Sequence, residues 1–207
     1  MADSEPSHAR PLLESDLRPD PLEQFGAWLE EARTSIREPE AMAIATATPD
    51  GAPSARIVLL KGFDERGFVF NTSYLGRKAR DLDANPRGAL LFYWDALGRQ
   101  IRIEGPVERC SKEESERYIL TRPRGSRLSA MASRQSEVVE SREALEAAVA
   151  ELAERYRDAE LPVPGDWGSY RVRPESYEFW QHREDRLHDR LSYVPDDGGW
   201  RIERLSP

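Results

Sequence analysis

Cys110 is the only thiol in 207 residues. An internal disulfide is therefore impossible, and so is a zinc cluster built on cysteines. A reducing, cytoplasmic setting agrees with that usage. Histidine is nearly as scarce. His8, His182 and His188 are the only three, no metal-ligand pair stands at helical spacing, and no metal site is expected. Positive charge is outweighed, with 30 Lys and Arg against 38 Asp and Glu for a net −8. This argues against general nucleic-acid binding. No apolar run approaches the ~18–20 residues of a membrane-crossing helix. The opening Met-Ala-Asp-Ser-Glu-Pro-Ser-His lacks the basic-then-apolar order of a signal peptide. There is no Gly-x-Gly-x-x-Gly fingerprint, P-loop, Ser-His-Asp order, internal repeat or low-complexity tract, which disfavours a Rossmann reading.

The chain is long enough for one domain with a real core. Residues 1–19 are polar, contain proline and show no period. They predict a mobile arm ahead of a single domain over 20–207. Asp20 as N-cap and Pro21 at the first helical position open a helix, with Leu22, Phe25, Leu29 and Ala32 on its core face. From Ala41 the period changes. Strands are expected over 42–48, 54–61, 68–72, 89–94, 99–110, 168–174, 176–182, about 188–194 and 199–205. Pro49-Asp50-Gly51 and Asp197-Gly198-Gly199 are turn signals. Helices are expected from Gly76, from Ser111 with Glu114 completing a capping box, over 126–134, and over 141–157. Roughly eight strands, several inserted helices and no βαβ alternation predict a mainly β, α+β fold: an antiparallel barrel with peripheral helices.

Four basic groups stand out in this acidic chain. Arg56 and Lys61 bracket an apolar strand. Arg77 and Lys78 fall on the first turn of a helix, which favours phosphate. Arg122 and Arg124 stand with Tyr118 and Ser126. Arg186, His188 and Arg190 form a row near the end of the chain, interrupting an aromatic segment that ends in Trp180. If residues 186–190 are extended, the three side chains share one face. A solvated charge run is the plain alternative. Two phosphate sites and a planar ring system would use all four groups, so an organic cofactor is the expected carrier of the chemistry.

The motifs resemble the FMN-dependent pyridoxine/pyridoxamine 5′-phosphate oxidases from about Asp20 to Pro207. They are Arg56-Ile-Val-Leu-Leu-Lys61, Gly76-Arg-Lys-Ala79, Arg99-Gln-Ile-Arg-Ile-Glu-Gly105, Arg122-Pro-Arg-Gly-Ser126, Ser133-Arg-Gln-Ser136, Glu178-Phe-Trp-Gln181 and Arg186-Leu-His-Asp-Arg190. The resemblance implies an FMN-binding split barrel that works as a homodimer with FMN at the subunit interface. Arg56, Arg77, Lys78, Gln135 and Ser136 would hold FMN, mainly at its phosphate. Ile57, Val58, Leu59, Leu60, Lys61, Asn71, Thr72, Gln100, Trp180 and Arg190 would line the rest. Lys61, Tyr118, Arg122 and Ser126 match the clamp on the substrate phosphate. Arg186, Leu187 and His188 match the segment facing the substrate ring, with Arg186 and His188 as the catalytic pair. The implied reaction oxidises pyridoxamine or pyridoxine 5′-phosphate to pyridoxal 5′-phosphate with O2, releasing hydrogen peroxide, and ammonia from the amine. A flavin oxidase of phenazine biosynthesis is the alternative within the barrel family, and a non-catalytic FMN- or pyridoxal-phosphate-binding protein the alternative outside enzymes. The sequence departs from the family pattern at Asn71 (usually aromatic), Gly76 (often Ser) and His182 (usually Gly), and the arm lacks an Arg-x-x-Tyr segment.

Overall fold

Asp20 and Pro21 begin the first helix as their chemistry dictates. In the computed structural model, which describes residues 10–207, the Asp20 carboxylate accepts from the Leu22 N–H at 2.8 Å. Helix α1 runs Pro21–Arg33. Phe25, Leu29 and Ala32 are buried on it as the spacing predicts, and Trp28 joins them. Phe25 meets Phe63 and Phe68 edge-on at 4.9 and 4.8 Å, which plugs the helix into the sheet behind it.

Nine strands form, one for each segment expected: β1 (Ala41–Ala47), β2 (Pro53–Asp64), β3 (Gly67–Ser73), β4 (Arg87–Trp94), β5 (Arg99–Arg109), β6 (Trp167–Val172), β7 (Ser176–Gln181), β8 (Asp189–Asp196) and β9 (Gly199–Arg204). Every pairing is antiparallel. The order β4-β1-β2-β3-β6-β5 closes through β4–β5 into a six-stranded barrel, and β7-β8-β9 extend from β5. The barrel splits along β5. Residues 99–104 pair with β7, whereas 107–109 turn to β6. Four helices are inserted: α2 (Arg77–Ala84), α3 (Lys112–Thr121), α4 (Arg124–Ala132) and α5 (Arg142–Arg155). Ser111 caps α3 through the expected reciprocal box with Glu114. Antiparallel split barrel with peripheral helices is thus the observed architecture. No helix among the described residues is long and apolar enough to cross a membrane.

The expected arm needs correction over residues 10–19; residues 1–9 lie outside the described residues. Leu12 and Leu17 belong to the main core. The Leu12 N–H donates to Asp189 at 3.0 Å, and Arg204 donates to the Leu12 carbonyl and the Glu14 carboxylate. Two leucines without a period gave no helical or strand signal. Their anchorage depends on β8 and β9, some 180 residues away in sequence.

Candidate active site

Strand β2 delivers two cations to different places. Arg56 donates to Thr46 Oγ1 at 2.8 Å and lies 3.7 Å from Asp81, to which Thr46 also donates. Burial, and Arg77 nearby, push its pKa down against the pull of Asp81. Past it, the register of β2 on β3 shifts between Leu60 and Gly62. Lys61 is the extra residue of this bulge. An extra residue of that kind is left unpaired and its side chain re-aimed.

Around Arg56, α2 and the 133–136 loop build a nest. Gly76 is the N-cap of α2. The Lys78 ammonium donates to Gln135 Oε1 at 2.7 Å and to Thr72 Oγ1 at 2.9 Å. Lys78 is buried and makes no salt bridge among the described residues. Burial and the Arg56 charge bring its pKa down to about 8. The Arg77 N–H donates to Ser136 Oγ at 3.2 Å. Ser136 itself takes φ 71°, a left-handed conformation that turns the loop onto the helix start. A Cβ on Gly76 would stand 2.4 Å from Gln135 Oε1. Glycine at this position therefore leaves room for Gln135 in the nest.

A cavity of about 420 Å³ adjoins this nest. Lys61, Asn71, Tyr118, Arg122, Ser126 and Trp167 line it together with Leu59, Thr121 and Pro123, and no carboxylate is among them. The Lys61 ammonium lies 5.4 Å from the Tyr118 ring centroid, and the Arg122 guanidinium 5.1 Å from that of Trp167. Arg122, Ser126 and Trp167 also line a neighbouring cleft that reaches Gln135, so the two basic places communicate. Asn71 accepts from Ser169 Oγ, and its Nδ2 is buried without a partner. The four residues predicted as a phosphate clamp are therefore brought together. Trp167 was missed: it follows a Pro- and Gly-containing loop, and only the pairing of Ser73 with Trp167 brings it here.

The third group assembles elsewhere on the chain. Strand register sets Gln100 opposite Trp180, and Trp180 opposite Arg190, so the three form a lateral row. Arg190 is oriented by buried Glu178, which accepts at 2.8 and 3.2 Å and raises the arginine pKa. Glu178 was not predicted. A carboxylate between Tyr177 and Phe179, both buried, was its signal. The His188 ring stands 4.7 Å from that of Trp180. The extended reading of 186–190 is corrected. Glu184–Arg186 form a 3-10 turn, Arg186 has φ 62°, and β8 begins only at Asp189. Arg186 and Leu187 are exposed, so Arg186, His188 and Arg190 share no single strand face. No cavity described above is lined by both this group and the other two.

A family model described as pyridoxamine 5′-phosphate oxidase matches residues 29–156, and the pyridoxine 5′-phosphate oxidase C-terminal dimerisation region matches 167–207. The chain belongs to the pyridoxamine 5′-phosphate oxidase family. A pyridoxine/pyridoxamine 5′-phosphate oxidase of Rubrobacter xylanophilus is 62% identical over 197 residues, 95% of this chain and 91% of that protein. One of Burkholderia multivorans is 54% identical over 212 residues, covering 100% of this chain and 99% of the relative. Among solved structures, PhzG from Burkholderia lata 383 in complex with tetrahydrophenazine-1-carboxylic acid superposes with a TM-score of 0.88 at 35% identity, covering 95% of this chain and 98% of that one.

FMN is the cofactor of this oxidase family, and the nest fits its phosphate. A buried ammonium without a counter-ion is unfavourable by itself and is relieved by an anion. Arg56, Arg77, Lys78, Gln135 and Ser136 would hold that end. Along β2, Val58 packs against the core and Leu60 is buried in it, whereas Ile57 and Leu59 are exposed. Of these four side chains, only Ile57 and Leu59 are available to a ligand; Val58 and Leu60 would offer backbone alone.

Proposed function

We propose that this chain oxidises pyridoxamine 5′-phosphate and pyridoxine 5′-phosphate to pyridoxal 5′-phosphate, with O2 as the final oxidant. The alcohol yields hydrogen peroxide as co-product; the amine also consumes water and releases ammonia. The observation that carries this reading is the carboxylate-free cavity where Lys61, Tyr118, Arg122 and Ser126 converge. A dianionic phosphate ester suits two cations and two hydroxyls.

Bound FMN supplies the chemistry of hydride acceptance and of reaction with O2. The chain's own residues bind and orient. Lys61 and Arg122 grip a phosphate remote from the reacting carbon, and that binding energy fixes the ring's position. Gln100, Trp180 and Arg190 present a rigid lateral row to the cofactor, with Arg190 braced by Glu178. Arg186 and His188 face the substrate ring, where the arginine offsets developing charge. A homodimer supports this arrangement. The segment around 180–190 of one copy would close over the cavity of the other, with FMN between them. Exposed Ile57, Leu59, Leu91 and Tyr93 offer apolar surface for such pairing.

A phenazine-type oxidation is the second reading, favoured by the likeness to PhzG. Its ligand carries a carboxylate and no phosphate to engage the clamp. Anaerobic mixing of the FMN-loaded protein with pyridoxamine 5′-phosphate separates the two. Bleaching of the flavin's visible band, reversed by air with formation of pyridoxal 5′-phosphate, is the expected result. A flavin bleached only by tetrahydrophenazine-1-carboxylic acid would overturn the proposal.

A further inference from the structure

Arg122 is oriented differently from the other arginines of the site. Arg56 is drawn to Asp81, and Arg190 is gripped by Glu178. Among the described residues no carboxylate and no side-chain hydrogen bond holds the Arg122 guanidinium, which stands over the Trp167 ring, 5.1 Å from its centroid. The indole is placed by its backbone. Trp167 begins β6 opposite Ser73, its N–H donates to the Pro164 carbonyl at 3.2 Å, and the Tyr74 N–H donates to the Asp166 carbonyl at 2.6 Å. Next along the strand, a Cβ on Gly168 would stand 1.8 Å from the Tyr74 hydroxyl, so only glycine lets the two segments close on each other. The ring carries one anomaly. Its Nε1 is buried without a partner, whereas a buried tryptophan usually finds an acceptor for its N–H. Within the described chain the indole donates to nothing, and what is in use is its face.

An aromatic face attracts a guanidinium through its quadrupole without cancelling the charge. A carboxylate in its place would pair with the arginine and compete with a phosphate for the same N–H groups. We infer that Trp167 is a positioning residue of the phosphate clamp: its indole face seats the Arg122 guanidinium beside the cavity and leaves the full positive charge for an anion. Lys61, over the Tyr118 ring, is treated alike, so among the described residues both clamp cations rest on rings and neither on an acid. Seating matters because Arg122 and Trp167 border both the clamp cavity and the cleft that reaches Gln135. A guanidinium freed from the ring has both spaces to sample. That the anion is a vitamin B6 phosphate rests on the oxidase reading above; the seating of Arg122 does not.

Steady-state kinetics of the FMN-loaded protein with pyridoxamine 5′-phosphate test this. Trp167→Leu should raise KM by about 3–30-fold, the range of one cation–π contact. Turnover should change little, because ground state and transition state lose the contact alike. Trp167→Phe keeps a face and discards the unpartnered N–H, so its KM should stay within about 3-fold of the wild type. Leu and Phe variants equally impaired would overturn the inference. In the Arg122→Ala background, Trp167→Leu should add less than about 2-fold; the same factor in both backgrounds would mean that the ring acts independently of Arg122. Fluorinated tryptophans at position 167 keep the shape and withdraw electron density from the face, so they serve where the Leu variant does not fold. KM should climb with the number of fluorines, and a flat series would refute the contact. Calorimetric titration of the same FMN-loaded proteins with inorganic phosphate separates this inference from the oxidase reading. Phosphate affinity should fall by the same factor in Trp167→Leu. An unaltered affinity, or no phosphate binding by the wild type, would overturn the role of Trp167. A wild type that binds phosphate, loses it in Trp167→Leu and turns over no vitamin B6 phosphate would uphold that role and overturn the oxidase reading alone.

Discussion

Replacing Lys78 with Met tests the nest from two sides, because the variant keeps an apolar stem of similar length and removes the charge. In the free protein Lys78 is a buried cation beside Arg56, and its pKa falls from the ordinary 10.5 to about 8. That drop corresponds to roughly 3 kcal/mol against the ammonium form in the folded state. The sign follows from proton counting. Between about pH 8 and 10.5 the unfolded chain retains a proton that the folded chain has released, so wild-type stability gains with pH across this window. Below it the penalty is present in full. The Met variant has no such titration, and other groups cancel in the comparison. Urea unfolding of the FMN-free proteins, stepped from neutral pH to about 10.5, should show the wild type gaining roughly 3 kcal/mol relative to K78M. FMN affinity should move the other way. Loss of a charge-assisted contact of about 1.5–3 kcal/mol weakens Kd roughly 10–150-fold at neutral pH. Above about pH 8 the wild type's advantage in FMN affinity should shrink as Lys78 loses its proton. A stability difference that stays flat with pH would refute the desolvated cation, and an unchanged FMN Kd would refute its place in the cofactor site.

Arg122→Ala should raise the KM for pyridoxamine 5′-phosphate by roughly 10-fold or more, from the loss of about 1.5–3 kcal/mol of phosphate contact, with FMN retention little altered; an unchanged KM would place the clamp elsewhere. Gly76→Ala introduces a Cβ 2.4 Å from Gln135 Oε1 and should displace that amide from Lys78 and Thr72. FMN titration of the variant should show weakening on the scale of one hydrogen bond, about 1 kcal/mol. Leu12→Ala should destabilise the protein by about 2 kcal/mol or more, measured by urea unfolding, because Leu12 is 8% exposed and part of the main core; no loss would mean that the 10–19 segment is not packed as described.

Local chemistry was legible in the sequence wherever it acts within a few residues. Asp20-Pro21 and the Ser111/Glu114 box named their helices because capping is a contact between near neighbours. Alternation named β5, whose Ile101, Ile103 and Val107 are buried while Arg102 and Glu108 are exposed. The residues of the clamp and the nest were named too, through the order of their motifs. What stayed hidden depends on partners distant in sequence or on backbone conformations with no residue signature. The bulge at Lys61 follows from how β3 meets β2. The curl at Asp185 and Arg186 contains no glycine to announce it. Leu12 and Leu17 look like stray apolar residues until Asp189 and Arg204 are seen to hold their segment. The Gln100–Trp180–Arg190 row exists only once three strands lie side by side.

Arg190 also donates to the Ser206 carbonyl at 2.8 Å, and its own carbonyl accepts from the Leu205 N–H at the same distance. Residues 205 and 206 are thereby a second brace on a side chain already gripped by Glu178. Altering residues 205 and 206 would act on Arg190 although no site residue had been touched. Variants differing only at residues 205 and 206 should then differ in how well they keep their yellow colour through purification, which makes this short segment a variable of the flavin content.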